Sequence, residues 1–102
     1  MASRLELHEE FCTLLGSRNV YYNPPESVRM SYPAIRYSKT GMHTLEADDR
    51  LYKKVNQYQA IIIDPNPDSD IPDKCIEHFQ MCSFGSPYVV GGLMHFPITI
   101  YY

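Results

Sequence analysis

The stretch QYQAIIIDPNPDSDIPDKCIEHF, residues 57–79, constrains this chain more than any other. From Tyr58 to Ile63 it is β-branched and aromatic, and such side chains fit a pleated, packed surface. Asp64-Pro65-Asn66-Pro67 then stops the ladder, because each proline removes a donor and fixes φ. Ser69 or Asp70 can cap a following helix. Pro72 falls in its first turn, where a missing N–H costs little. Ile71, Cys75, Ile76 and Phe79 recur at helical spacing. The stretch therefore predicts a strand, an acidic turn and an amphipathic helix over residues 70–79.

The flanking chain supplies the rest of a sheet. Ser3, with Glu6 three residues on, forms a capping box for a first helix. Leu5, His8, Cys12 and Leu15 fall on one side of it, with Leu7, Phe11 and Leu14 beside them, and Gly16-Ser17 ends it. Val20-Tyr21-Tyr22 is a short extended segment, cut off by Asn23-Pro24-Pro25. Residues 32–38 read as a strand with Pro33 near its start, and 51–63 as a longer strand that pairs with it. Thr40-Gly41 signals a turn or bulge. At the end, Gly91-Gly92 between two apolar runs predicts a two-residue hairpin with Val89 opposite Met94 and Tyr88 opposite His95. Met94, Phe96, Ile98, Ile100 and Tyr102 are then the core-facing set. The expected fold is a single α+β domain over residues 1–102. It has the order α-β-β-β-α-β-β, with both helices packed on one face of an antiparallel sheet.

Composition narrows the function classes. A 102-residue chain with 44% apolar and 21% charged residues is globular, with one modest core. Its net charge of −3 argues against a duplex-binding surface, which needs clustered cations. The nearest basic group, Arg50, Lys53 and Lys54, follows Glu46, Asp48 and Asp49 directly. Three cysteines without a C-x-x-C suit reduced thiols rather than a disulfide framework. No signal peptide is expected, since residues 1–15 carry Arg4, Glu6, Glu9 and Glu10, and no apolar run is long enough to span a bilayer. Nine Tyr and four Phe, with no Trp, suit either a Tyr-rich β core or strands that face another subunit.

No motif names a reaction. Asp64, Asn66 and Asp68 match the start of a calcium loop, but Ser69 stands where Gly is required and Cys75 where the bidentate Glu belongs. An Asx turn into a helix cap explains the same residues. Cys75 and His78, with Cys82 beyond, lack the second pair that a structural zinc site needs. The Ser, Cys and His residues show no nucleophile frame, and Gly91-Gly92 lies in a hairpin rather than at a phosphate-binding helix start. His8 reads as a packed or rim histidine. The expectation is a non-enzymatic protein without metal or cofactor.

Three stretches together resemble a known family: RLELHEEFCTLLGSRNVYYNPPESVRMSYPAIRY, then VNQYQAIIIDPNPDSDIPDK, then YVVGGLMHFPITIYY. They are similar to the tail terminator or tail completion proteins of long-tailed bacteriophages. Asn23-Pro24-Pro25 followed by Tyr32-Pro33, the DPNPDSDIPDK turn and the terminal Tyr101-Tyr102 carry most of the likeness. Gly91-Gly92, Arg36 and Gly41 depart from the pattern. The resemblance implies an α+β structural virion protein at the head–tail junction, assembled in the bacterial host cytoplasm. It implies a homo-hexameric ring that caps the tail tube and joins it to the head-side connector protein. DNA would be met only by passage through the lumen, and no membrane is involved. A head-completion or connector adaptor is the neighbouring alternative, and a small monomeric binding or regulatory domain is a third.

Residues 39–50 are the candidate site. The segment exceeds an ordinary hairpin loop, so a protruding loop or an extended hairpin tip is expected. It carries Lys39, His43, Glu46, Asp48, Asp49 and Arg50. In a ring, these residues would reach the lumen or the neighbouring tube ring.

Overall fold

The computed structural model describes residues 4–24, 29–47, 50–79 and 81–102; along 42–47 and 50–55 it describes the backbone path only. The elements are α1 (Arg4–Leu15), β1 (Val20–Tyr22), β2 (Ala34–Ala47), β3 (Arg50–Asp64), α2 (Ile71–His78), β4 (Cys82–Phe84), β5 (Tyr88–Val90) and β6 (Leu93–Tyr101). The architecture is α+β, with the expected order and one further short strand, β4. The sheet runs β1-β2-β3-β6-β4, with β5 also paired to β6. Its ladders are antiparallel except β1 with β2, which is parallel. The cap residue Ser3 and most of the loop after Pro24 fall outside the described residues.

One sheet face carries the core. Cross-strand rows Ile35–Ile62–Phe96, Tyr37–Ala60–Ile98 and Tyr58–Ile100 present their side chains to the helices, because alternate strand residues share a face. Leu7, Phe11 and Cys12 of α1 and Ile71, Cys75 and Phe79 from the α2 region pack on them. Phe11 makes ring contacts with Tyr37 at 5.1 Å and with Phe79 at 5.6 Å between centroids. Each large apolar side chain buried this way contributes about 1.5–3 kcal/mol. Ile98 and Ile100 are buried, and Phe96 and Tyr102 pack on the core edge, as the alternation predicts, whereas Met94, the first of the expected set, is half-buried at the sheet end and is not part of that cluster.

Both helical stripes need one correction. Ile76 is 51% exposed and Leu5 66% exposed, so each lies off the buried face that its spacing suggested. An eight-residue helix shows the sheet a narrow arc, and Ile71, Cys75 and Phe79 fill it. Asp70 holds the N-cap position, and the side-chain bond to the helix start comes from Ser69 before it, whose Oγ accepts the Ile71 N–H at 3.3 Å. Asp70 makes no side-chain cap bond and instead pairs with Lys74 at 3.5 Å. The acidic turn is built on Asx bonds: Asp64 Oδ1 accepts Asn66 N–H at 2.9 Å, and Asn66 Oδ1 accepts Asp68 N–H at 3.0 Å. Gly91 and Gly92 have φ of 58° and 77°, the positive values a two-residue hairpin turn demands. That turn sets the predicted pairs Tyr88–His95 and Val89–Met94.

The largest difference from expectation lies in residues 39–50. β2 continues to Ala47 and β3 starts at Arg50, so residues 39–47 and Arg50 lie in strands, as the extended hairpin expects, while Asp48 and Asp49 fall outside the described residues. Register shifts at Lys39/Gly41 and Leu45/Glu46 let two strands of unequal length stay paired, and the first marks the bulge signalled by Thr40-Gly41.

Candidate assembly interface

β6 pairs with β3 only from Gln57 to Asp64. The Asn56 carbonyl accepts the last such contact, from Tyr102 N–H at 2.9 Å. From there to the tip β2 and β3 pair only with each other, through His43–Val55, Thr44–Lys54, Leu45–Lys53, Glu46–Leu51 and Ala47–Arg50. Among the described residues no third strand joins this ribbon. Six residues of strand at about 3.3 Å each carry it roughly 20 Å beyond the sheet. An isolated two-stranded hairpin is marginal in water, so such a ribbon gains most by lying on another surface.

The structure therefore brings Lys39, His43, Glu46 and Arg50 onto one ribbon, while Asp48 and Asp49 lie outside the described residues. Lys39 stands at the ribbon base opposite Tyr58 and is exposed. Lys53 and Lys54 join the set on the second strand. Their signal was present in the sequence as LYKKV, a β-branched and aromatic run with charges interleaved.

At the other end of β3 lies a second unpartnered surface. Tyr88, Val89 and Val90 are 43%, 62% and 56% exposed, a run of apolar side chains on an edge strand. Val90 and Leu93 flank the turn as a hydrogen-bonded pair, so the Val89 N–H and C=O point away from β6. No strand of the described residues pairs with them. Tyr88 is fixed in place by stacking on His95, with centroids 4.9 Å apart and planes at 22°. Open apolar edges are normally blunted or covered; this one is only three residues long, and no strand of the described residues covers it.

The chemistry-bearing side chains elsewhere are engaged in holding the fold. Tyr37, buried under α1, shares its hydroxyl between His8 Nδ1 at 2.7 Å and Arg4 Nη1 at 3.4 Å, and Arg4 stacks 4.3 Å over the Tyr22 ring. Burial lowers the His8 pKa, with the Arg18 and Arg4 charges acting the same way; neutral Nδ1 then suits the Tyr37 proton. Burial also raises the Tyr37 pKa, against the Arg4 hydrogen bond and charge. Glu10 receives Tyr102 Oη–H and faces His78 Nε2 at 2.5 Å, tying α1 to α2 and to the chain's last residue. Sequence reasoning missed this clamp, because its partners are 68 and 92 residues apart.

Asp64 Oδ1 and Asn66 Oδ1 accept backbone N–H groups within the turn. Cys75 is fully buried, with its thiol pushed up to about 12 by burial and then by Cys82, while His78 turns to Glu10. Among the described residues no group of three His, Cys, Asp or Glu side chains could hold a metal ion. The open sheet face has a shallow groove of about 480 Å³ lined by Asn23, Pro24, Arg36, Tyr37, Ser38, Gln59 and Ile61, with Arg36 exposed in it. One cation in a broad groove sets no reaction. No helix of the described residues is long and apolar enough to cross a membrane. No protein-family model matches the chain, and no curated protein matches it.

Proposed function

We propose that this chain is a self-assembling structural subunit, a ring-forming tail terminator that caps a phage tail tube and joins it to the head-side connector. The observation that supports the reading is the β2–β3 ribbon, which no third strand of the described residues covers. A projection of this kind is costly to a solitary domain and useful to an assembling one, where a neighbour supplies the missing surface. The exposed β5 edge adds a second contact patch. Closed rings need two different patches per subunit, and this chain has two. The sequence likeness to tail terminators supplies the place of action, the head–tail junction of the virion. The tail tube protein and the connector are the expected neighbours.

The test replaces residues 42–48 with a Gly/Ser linker in a phage that encodes this chain. Tails of uncontrolled length, or tails that fail to join heads, are expected while the subunit still folds. Tails of normal length in infectious particles would refute the reading. Fractionation of particles gives a separate check: the subunit is expected with tails. Its recovery with filled heads would make it a connector adaptor, and its absence from both would make it a host binding domain.

A further inference from the structure

The sheet has two open edges that match in direction. β3 covers one side of β6 from Met94 to Tyr101, so β4 and β5 both lie on the other side and form one edge. β1 forms the opposite edge, and no strand of the described residues pairs with either. β1 runs parallel to β2, and β2, β3, β6 and β4 then alternate in direction, so β1 and β4 point opposite ways. A second copy set beside the first in the same orientation therefore brings its β1 antiparallel to β4, the commoner pairing. The backbones suit it. Asn19 C=O and Asn23 N–H bond β2, so alternation turns Val20 and Tyr22 outward. Met81 C=O and Gly85 N–H bond β6, so Cys82 and Phe84 turn outward.

The helix layer matches as well. α1 lies over β1 and β2, while Phe79 at the end of α2 meets Cys82 and Tyr102. Glu10 facing His78 marks the sides on which the two helices meet. At about 100° per residue, Leu5 lies about 140° from Glu10 around α1, and Ile76 about 160° from His78 around α2. The two apolar residues that leave the buried stripes thus sit on the outer flanks, Leu5 on the β1 side and Ile76 on the β4 side. Glu9, Cys12 and Gly16 follow Leu5 down its flank at helical spacing, and with Thr13, Ser17 and Arg18 they line a concavity of about 390 Å³. Gly16 leaves it open, since even a Cβ there would touch nothing. On the other side, Ile76, Met81, Tyr88, Val89 and Val90 are between 40% and 62% exposed. They offer on the order of 300 Å² of apolar side-chain surface. That is the larger part of the apolar share of the roughly 800 Å² that each partner gives a stable contact.

We infer that a second copy of this chain docks edge to edge, its β1 extending the sheet at β4 and its α1 flank receiving Ile76 and Met81 beside Leu5. The contact uses two different sides of each copy, so repetition of it closes a ring when the rotation allows. The inference rests on the ring-subunit reading and names the surfaces that would build that ring.

Two single variants at exposed positions test it. Leu5→Glu spoils the α1 side and Ile76→Glu the α2 side, and neither should move the thermal midpoint of the dilute chain. Each alone is expected to self-associate at least about tenfold more weakly than the parent in analytical ultracentrifugation, because every contact would bury a carboxylate. Mixed one to one, they retain one unaltered pair of sides and are expected to stop at a dimer, which also shows that each variant folds. Variants that assemble as the parent does, or a mixture that stays monomeric or grows past a dimer, overturn the docking while leaving a ring-forming parent intact. A parent that is monomeric at every concentration overturns both the docking and the ring reading. Hydrogen exchange reads the strand pairing itself: the Tyr22 and Phe84 amides should become protected in the assembled parent. Continued rapid exchange at both would overturn the shared sheet.

Discussion

The two halves of β3 live in different surroundings. From Tyr58 to Asp64 the strand lies between β2 and β6, and its core-facing residues lie beneath two helices; Tyr58, Ala60 and Ile62 are almost fully enclosed. From Arg50 to Val55 it has β2 on one side and no strand of the described residues on the other. One continuous strand thus passes from an interior held by burial into a ribbon held by a single ladder. Stability resides in the first half; in the proposed ring the second half is the part that would meet a partner. The comparison also explains the shape: a compact domain of this size has no internal reason to reach 49 Å in one direction.

The largest effect is expected in the covered half. Phe79 closes the gap between the helices and is 7% exposed, touching Phe11 and Tyr102. Phe79→Ala should cost about 3–5 kcal/mol in urea unfolding, the usual range for a buried ring. A loss under about 1 kcal/mol would mean that the helix face does not seal the core.

Next comes the buried hydroxyl. Tyr37→Phe removes the partner of His8 and Arg4 and should cost about 1 kcal/mol, the net worth of a typical intramolecular hydrogen bond. An unchanged unfolding midpoint would show that water replaces it freely.

A smaller effect depends on pH. The folded chain holds the His8 pKa below its ordinary value, so the unfolded chain takes up the proton first on acidification. Stability from this group is complete above the unfolded pKa of about 6.5 and is lost as pH falls from there through the lower folded pKa. His8→Gln should flatten the fall in thermal midpoint between about pH 7 and 5.5 relative to the parent. Parallel curves would assign the acid sensitivity elsewhere.

The smallest effect belongs to the ribbon. Replacing residues 42–48 with Gly/Ser should shift the unfolding free energy of the dilute subunit by no more than about 0.5 kcal/mol, the range of surface changes. A loss comparable to Phe79→Ala would erase the contrast between the two halves.

What was legible in the sequence follows the same division. The helix ends at Gly16, the Asx turn at Asp64–Asn66, the Gly91-Gly92 register and the alternating face of β6 were all readable, because each is set by neighbours a few residues apart. The Glu10 clamp and the Tyr37 hydrogen bonds were not, since only the tertiary fold brings their partners together. Ile76 and Leu5 fit an apolar period yet face solvent, because period locates a stripe and the neighbouring element decides its width. Residues 39–50 leave a protruding loop and an extended hairpin tip both open for a related reason. A strand that leaves the sheet need not alternate apolar with polar, so residues 42–47 lack the signal that marks strands elsewhere. The candidate residues Lys39, His43, Glu46 and Arg50 were found by their charge. Lys53 and Lys54, on the strand opposite, are placed beside them by the ladder.

Amide hydrogen exchange, on the dilute subunit and on its assembled form, tests the central claim most directly. Amides at Tyr58–Ile62 should be protected in both states, because helices and strands cover them in a single copy. Amides at His43–Ala47 and Leu51–Val55 should exchange rapidly in the dilute subunit and become protected on assembly, as a neighbour covers the ribbon. Ribbon amides already as protected as Tyr58–Ile62 in the lone subunit, or still unprotected in the assembled form, would contradict the account.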